Sequence, residues 1–598
     1  MRHLFTFLSI CCCLINVTAT VQPNKEIDSI LFVLKNKDGL LPLDRLNRTV
    51  VMNSFGKAPE EFNRMINRFT KVNSIGQDST FNLTDLKPND LQVITYQEPE
   101  YDSVAHSDKE LLYHSLKKIP HENTIVVVFG SISPLEDLPY ENCFSIIYCA
   151  DTSQYGQREV AQMIMGARSN SNALNCPASL NKLIKSKGLT LQEIQTNGRL
   201  RYADLNSIGL KAGAFQEIDN IASNAIKEGA FPGCQVLVSV KGNIIYQKSF
   251  GTHTYAAESK KVMNDHVYDI ASITKIAGST LLAMYLEHYN LLDVNDTLGK
   301  YIPEITGETG YGSIKIREMM AHQAGLKSWI PFYLKTLNEG ELDPEIYQNQ
   351  RDSVYSIQVA DRIFIRGDYP EIMYERILRT PLGRKKYKYS DLCYYFTQKV
   401  IESIIDQPQN QFLHQEIYAP MGLQNMRYNP LDFFSKDKIV PTEYDRIFRK
   451  QLIHGHVHDP GAAMLGGVGG HAGIFSNAAD LASIMQLFLK DGSYAGNEFF
   501  NREIREDFTR KQYPNNRRGI GFDRPRESGG GTCDILASSQ SFGHSGFTGA
   551  LAWADPKDEV IFIFLSNRVH PDQENWKIRD MNIRTDMQHV VYDALLRR

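Results

Sequence analysis

Cysteine is sparse in this chain, nine among 598 residues, and three of the nine are adjacent at Cys11, Cys12 and Cys13. So few in so long a chain exclude the disulfide framework that holds small secreted domains together. An excess of one charge is lacking too: 65 Lys and Arg against 69 Asp and Glu give a formal net charge of −4. Without a basic excess or a clustered basic face, nucleic acid is excluded as a partner. Past the N-terminus no apolar run reaches the ~18–20 residues that a membrane-spanning helix needs. Repeats and low-complexity tracts are also missing. What remains is ordinary globular composition, 42% hydrophobic and 22% charged, in a chain long enough for two or three domains.

The N-terminus has the pattern of an export signal. Arg2 and His3 precede an uncharged stretch from Leu4 to Val17, and Val17-Thr18-Ala19 offers small or branched residues for cleavage. A signal peptide over 1–19 predicts a periplasmic or otherwise exported protein. Lipoprotein anchoring at Cys11 is the second reading, disfavoured by the bulky Ile10 before it. Six cysteines remain after cleavage. An oxidising compartment would permit a bridge among Cys143, Cys149 and Cys176, with the pairing left open.

Over 20–198, short β-branched runs alternate with helical patterns. SILFVLKN, TVVMNSFG, NTIVVVFG and FSIIYCA predict strands, while EEFNRMINRF and DKELLYHSLKK space their apolar residues as helices do. Such alternation predicts an α/β sheet covered on both faces. LKNKDGLLPL (34–43) and IIYCADTSQYGQREVAQMIMGA (146–167) resemble the C-terminal α/β sandwich of glycoside hydrolase family 3. The resemblance implies a missing N-terminal barrel, which in that family carries the nucleophilic aspartate. No glycosidase activity is expected from this chain alone, and a glycosidase partner in a separate chain would have to supply the barrel.

Residues 199–212 look like a linker. In the block 213–598, AFQEIDNIASNAIKEG predicts a helix with Ile218, Ile221, Ala222, Ala225 and Ile226 on one face, and CQVLVSVKGNIIYQKSFG a hairpin turning at Lys241-Gly242-Asn243. LAWADPKDEVIFIFLSN adds two strands near the other end, and a helix closes the chain. The fold class is therefore α+β here: an antiparallel sheet built from both ends of the block, flanked by helices, around an inserted α-domain.

Ser272 and Lys275 stand three apart, so on a helix they share a face. A serine is a weak nucleophile until a base takes its proton, and a lysine can do so only if its pKa falls. The bare spacing recurs at Ser115/Lys118, Ser179/Lys182 and Ser435/Lys438, all in charged stretches. Only Ser272 follows a strand-like VYDIA and opens a long apolar helix. Tyr389, in KKYKYSDLCYYFTQKV, lies among lysines that would ease its ionisation and suit it to general-base work. His544-Ser545-Gly546 precedes the last strand pair, where glycine lets a substrate backbone lie against the strand edge. His471-Ala472-Gly473 repeats that form in a glycine-rich loop.

Taken in order, PGCQVLVSVKGNIIYQKSFG, IASITK, EMMAHQAGL, YSD, GGHAGIFSNAADLA and GHSG resemble the serine β-lactamase and penicillin-recognising peptidase superfamily, nearest its class C-like hydrolases and esterases. With the sandwich ahead of it, the whole looks like the tail of Bacteroidetes-type fusions of a family 3 glycosidase with such a domain. The resemblance implies Ser272 as acylated nucleophile, Lys275 as proton acceptor, and Tyr389 as proton shuttle. His544 stands where lysine is usual, to bind a substrate carboxylate or steady Tyr389. Backbone N–H groups of Ser272 and Phe547 would form the oxyanion hole, and Asp391, Ser545, Gly546 and His471 would border the substrate. No cofactor is implied. Asp391 replaces the usual asparagine, and an ionised Asp accepts but cannot donate a hydrogen bond. That change, with a largely neutral His544, turns the expectation from β-lactams towards ester or peptidoglycan-derived peptide substrates.

Two rivals stand beside this. His454, His456, His458 and Asp459, with His471 downstream, suggest a zinc site if the segment is a strand. That is a minor reading, and no metal is expected. A non-catalytic carbohydrate- or peptidoglycan-binding role is the other. Trp329, Phe332 and Tyr333 are candidates to shape a ligand cleft.

Overall fold

A computed structural model describes residues 30–44, 46, 49–75, 90–99, 102–118, 123–170, 176–307, 309–527 and 531–598. The export segment expected over 1–19, and Cys11 within it, lie outside the described residues. Among the described residues, no helix is long and apolar enough to cross a membrane. The six cysteines they contain are all free.

The first sheet comprises β1 (Leu31–Asn36), β2 (Val50–Gly56), β3 (Val72–Ile75), β4 (Leu91–Gln97), β5 (Thr124–Phe129) and β6 (Ser145–Cys149). Their order is β1-β6-β5-β4-β2-β3, with β1 antiparallel to β6 and the other neighbours parallel. Leu31 and Val33 of β1 join one buried apolar cluster, Phe32 and Leu34 another. Both faces are thus covered, which is why these strands are unbroken apolar runs in sequence. Helices Glu60–Ile66 and Gln154–Ile164 supply one cluster; Asp102–Lys118 and Ala178–Ser186 supply the other.

The expected connector does more than link. Arg201–Tyr202 forms β7, which pairs in parallel with a strand of the second sheet. Just before it, the buried Arg199 guanidinium donates to Leu43 O, to Met165 O at 2.7 Å and to Asp44 O at 2.8 Å. The second sheet continues with β8 (Gly233–Val240), β9 (Asn243–Gly251), β10 (Phe542–Ser545), β11 (Leu551–Asp555) and β12 (Val560–Ser566), in the order β10-β11-β12-β8-β9-β7. Lys241 and Gly242, both at positive φ (50° and 76°), make the tight β8–β9 turn. Val236, Val238, Trp553 and Phe562 face a cluster shared with helices Gln216–Lys227 and Ile583–Leu596. Leu237, Ala552 and Ile563 face the opposite cluster, which contains helix Ala478–Leu489 and the inserted helical region. In the helix 216–227, Ile218, Ala222 and Ala225 are buried, while Ile221 and Ile226 are only half-buried.

Candidate active site

The site forms where the inserted region meets the edge of the second sheet. The two-residue strand Tyr268–Asp269 pairs with Ile474–Ser476, and the chain then turns sharply at Ala271, whose φ is +46°. A left-handed alanine costs of order 1–3 kcal/mol and persists only where its surroundings hold it. Here the buried Asp269 does so: Oδ1 accepts from Ala271 N at 2.8 Å and Oδ2 from His458 N at 2.7 Å. The turn leaves Ser272 half-buried and facing a cavity of about 600 Å³. The regular helix expected from Ser272 onward is instead a 3-10 turn (Ala271–Ile273) followed by a π-helical stretch (Lys275–Thr280) and an α-helix only from Leu281. Such bulges are frequent at functional sites.

Ser272 Oγ lies 2.9 Å from Lys275 Nζ and accepts from Tyr389 OH at 3.0 Å. Nζ also donates to His471 O at 3.1 Å and stands 2.7 Å from Asp391 Oδ1. Tyr389 is held by its neighbours: Lys388 N donates to His322 O, Ser390 N to His322 Nδ1, and Asp391 N to Ser328 O. The rings of His322 and Tyr389 lie 4.5 Å apart.

The electrostatics depart from expectation at Lys275 and Tyr389. Burial alone would lower the pKa of Lys275, but Asp391 and Tyr389 reverse this and hold its ammonium form above the ordinary lysine range. Tyr389 is raised rather than lowered, because burial outweighs the attraction of Lys275 and Arg518 for its phenolate. At rest Lys275 is therefore an ammonium and Tyr389 a neutral phenol. Asp391, expected at the substrate, is occupied by Lys275. His544 is 2% exposed, and burial, then Arg518 and Lys275, push its pKa well below the usual histidine value. Neutral and buried, it cannot serve as a cation for a substrate carboxylate; its ring stands 6.0 Å from that of Tyr389. A hydroxyl within 3.0 Å of both an amine and a phenol is the arrangement from which a serine can be activated.

The beta-lactamase family model matches residues 218–582. The chain belongs to the beta-lactamase family. Proteins of Salmonella gallinarum and Salmonella typhi, each named "Putative D-alanyl-D-alanine carboxypeptidase", are 30% identical to it over 409 residues, covering 63% of this chain and 88% of theirs. A penicillin-binding protein homologue from Caulobacter crescentus shares 15% identity, with 64% of this chain and 99% of that one covered at a TM-score of 0.46.

In this beta-lactamase-family chain Ser545 ends β10 and Gly546 follows it, beside the turn that bears Ser272. A Cβ added to Gly546 would lie 2.5 Å from Ile270 O, so only glycine lets the strand end approach the turn that bears Ser272. Phe547, 42% exposed, lines the cavity together with Trp329 and Tyr333, while Phe332 is buried away from it. His471 also lines it, but its Nε2 is engaged by Asp459 Oδ1 at 2.7 Å and its ring stacks on Tyr395; its carbonyl, not its imidazole, reaches Lys275. The histidine loop is not a strand. His454 Nε2 contacts Ile439 O, His458 Nε2 contacts Glu443 at 3.1 Å, and no grouping suited to a metal occurs among the described residues.

Sequence reasoning passed over Asp269, His322 and Arg518. Arg518 lies 5.2 Å from the Tyr389 ring centroid and pairs with Asp523. The HQ of EMMAHQAGL was the available signal for His322; nothing local marked Arg518.

Proposed function

We infer that the chain is an exported serine hydrolase that forms an acyl-enzyme on Ser272, with an ester or a D-alanine-containing peptide of cell-wall origin as substrate. The reading rests on one observation above all, Ser272 Oγ lying within 3.0 Å of both Lys275 Nζ and Tyr389 OH. In the productive form the Lys275/Tyr389 pair has one proton fewer, and it takes the serine proton as Oγ attacks the substrate carbonyl. Backbone N–H groups of Ser272 and Phe547 receive the oxyanion, and such donors are each worth ~10²–10³ in rate. Tyr389 returns the proton to the leaving group and later takes one from the deacylating water. Asp391 and a neutral His544 disfavour β-lactams. The names of the Salmonella relatives support a peptide substrate.

Export is supported by the pattern of residues 1–19, with lipid anchoring at Cys11 as the lesser form. The first sheet is proposed to be a family 3 glycosidase C-terminal-like unit, which LKNKDGLLPL and the parallel core of the sheet support. The test is intact-protein mass spectrometry after a fluorophosphonate probe, beside Ser272→Ala. One adduct, absent in the variant, is expected. No adduct under conditions that label a known serine hydrolase would overturn the reading in favour of a binding protein.

A further inference from the structure

The turn that follows β10 is held from beneath by one residue, Arg568, through its side chain and its backbone N–H. Gly546 O accepts from Gly549 N at 3.1 Å, leaving Phe547 and Thr548 as the central residues. Their two carbonyls share a single donor residue: Arg568 Nε donates to Phe547 O at 2.8 Å, and Arg568 N to Thr548 O at 3.0 Å. The guanidinium is clamped between two rings, 4.5 Å from the Phe547 centroid and 4.1 Å from that of Trp576. Nη1 donates to Gln573 O at 2.6 Å and Asn575 O at 2.9 Å, and Nη2 has no hydrogen-bond partner among the described residues. A Cβ on Gly549 would lie 2.9 Å from Arg568 Cγ, so the turn rests directly on this side chain.

Arg568 is only 2% exposed, and burial, with Arg584 acting the same way, lowers its pKa to about 10. A buried guanidinium that serves mainly carbonyl groups costs stability that an apolar side chain would not. Its position accounts for it. In the trans peptide 546–547 the C=O and N–H point in opposite directions. With Gly546 O committed to Gly549 N, the N–H of Phe547 faces away from the turn. Thr548 Oγ donates to Asp269 O at 2.7 Å, tying the same turn to the segment that bears Ser272.

We propose that Arg568 is a positioning residue: the hold of its side chain on the Phe547 carbonyl and ring, beside its backbone bond to Thr548 O, sets the Phe547 N–H at the oxygen of the carbonyl that Ser272 attacks. This rests on the acyl-enzyme reading, so Ser272→Ala is measured first. Hydrolysis of p-nitrophenyl acetate surviving in that variant would refute the acyl-enzyme reading and leave no role to assign. With that control passed, Arg568→Ala and Arg568→Lys are compared with the wild type as kcat per fluorophosphonate-titrated serine, so that loss of folded protein does not enter. Expected is a fall of about 10- to 100-fold, less than the complete loss of a donor, with KM within about threefold and a parallel fall in the probe's labelling rate. Added guanidinium ion should restore part of kcat in Arg568→Ala. Should that variant not fold, Trp576→Leu, which strips one side of the clamp, should show a smaller fall in the same direction. An unchanged kcat per titrated serine, or a fall that guanidinium does not reverse, would overturn the proposal.

Discussion

Asp391→Asn removes the carboxylate 2.7 Å from Lys275 Nζ and should speed ester hydrolysis near neutral pH. The sign follows from the direction of the shift. Asp391 favours the ammonium, so the free amine accumulates only as pH rises towards the raised lysine pKa. A neutral amide leaves Tyr389 alone to oppose burial, lowers that pKa, and moves the acid limb of the kcat/KM profile to lower pH. An opposite charge at this distance changes a protonation equilibrium by ~10- to 1000-fold. Asp391 is 21% exposed, so solvent screens part of this, and a weaker base is also a poorer catalyst. A net gain of about 3- to 30-fold at pH 7 is expected. The assay is p-nitrophenyl acetate hydrolysis across the whole limb for wild type and variant. A limb that stays in place, or a rate that falls equally at every pH, would refute the reasoning, because charge on Lys275 would then not be what limits the rate.

Tyr389→Phe deletes the hydroxyl 3.0 Å from Ser272 Oγ and should lower kcat by ~10²–10⁴-fold with KM little changed; steady-state kinetics within a few-fold of wild type would rule out its proton role. Gly546→Ala drives a methyl against Ile270 O, so a loss of about 1–3 kcal/mol in thermal or denaturant unfolding is expected, with esterase activity falling further than stability. Arg199→Ala leaves three carbonyls, of Leu43, Asp44 and Met165, without that donor, at roughly 1–3 kcal/mol for each one left unsatisfied. Calorimetry should then resolve an early transition of the N-terminal sheet. A single unshifted transition would show that Arg199 does not join the two parts.

Local pattern made much of this molecule legible. β1, β2, β5 and β6 announce themselves as short β-branched runs, and Lys241-Gly242 marks its own turn. Ser272 stood out from three decoys by its setting, and the structure places its Oγ against both Lys275 and Tyr389. The protonation states were not legible. Lys275 is raised because Asp391, 116 positions away in sequence (391 − 275), sits against it, and no window of sequence reports such a meeting. Ala271 has an unremarkable residue type for a left-handed position, and its cause, Asp269, shows only in its hydrogen bonds.

β7 is two residues long and covers the outer side of the start of β9, at Asn243 and Ile244, in the second sheet. An uncovered β9 would present a ladder of unsatisfied amides and carbonyls to any other extended chain, a known route to edge-to-edge aggregation. A hydrolase cut from this protein at residue 213, where its own helices begin, would lose that cover. One begun at residue 199 would keep it, and should be the more soluble of the two.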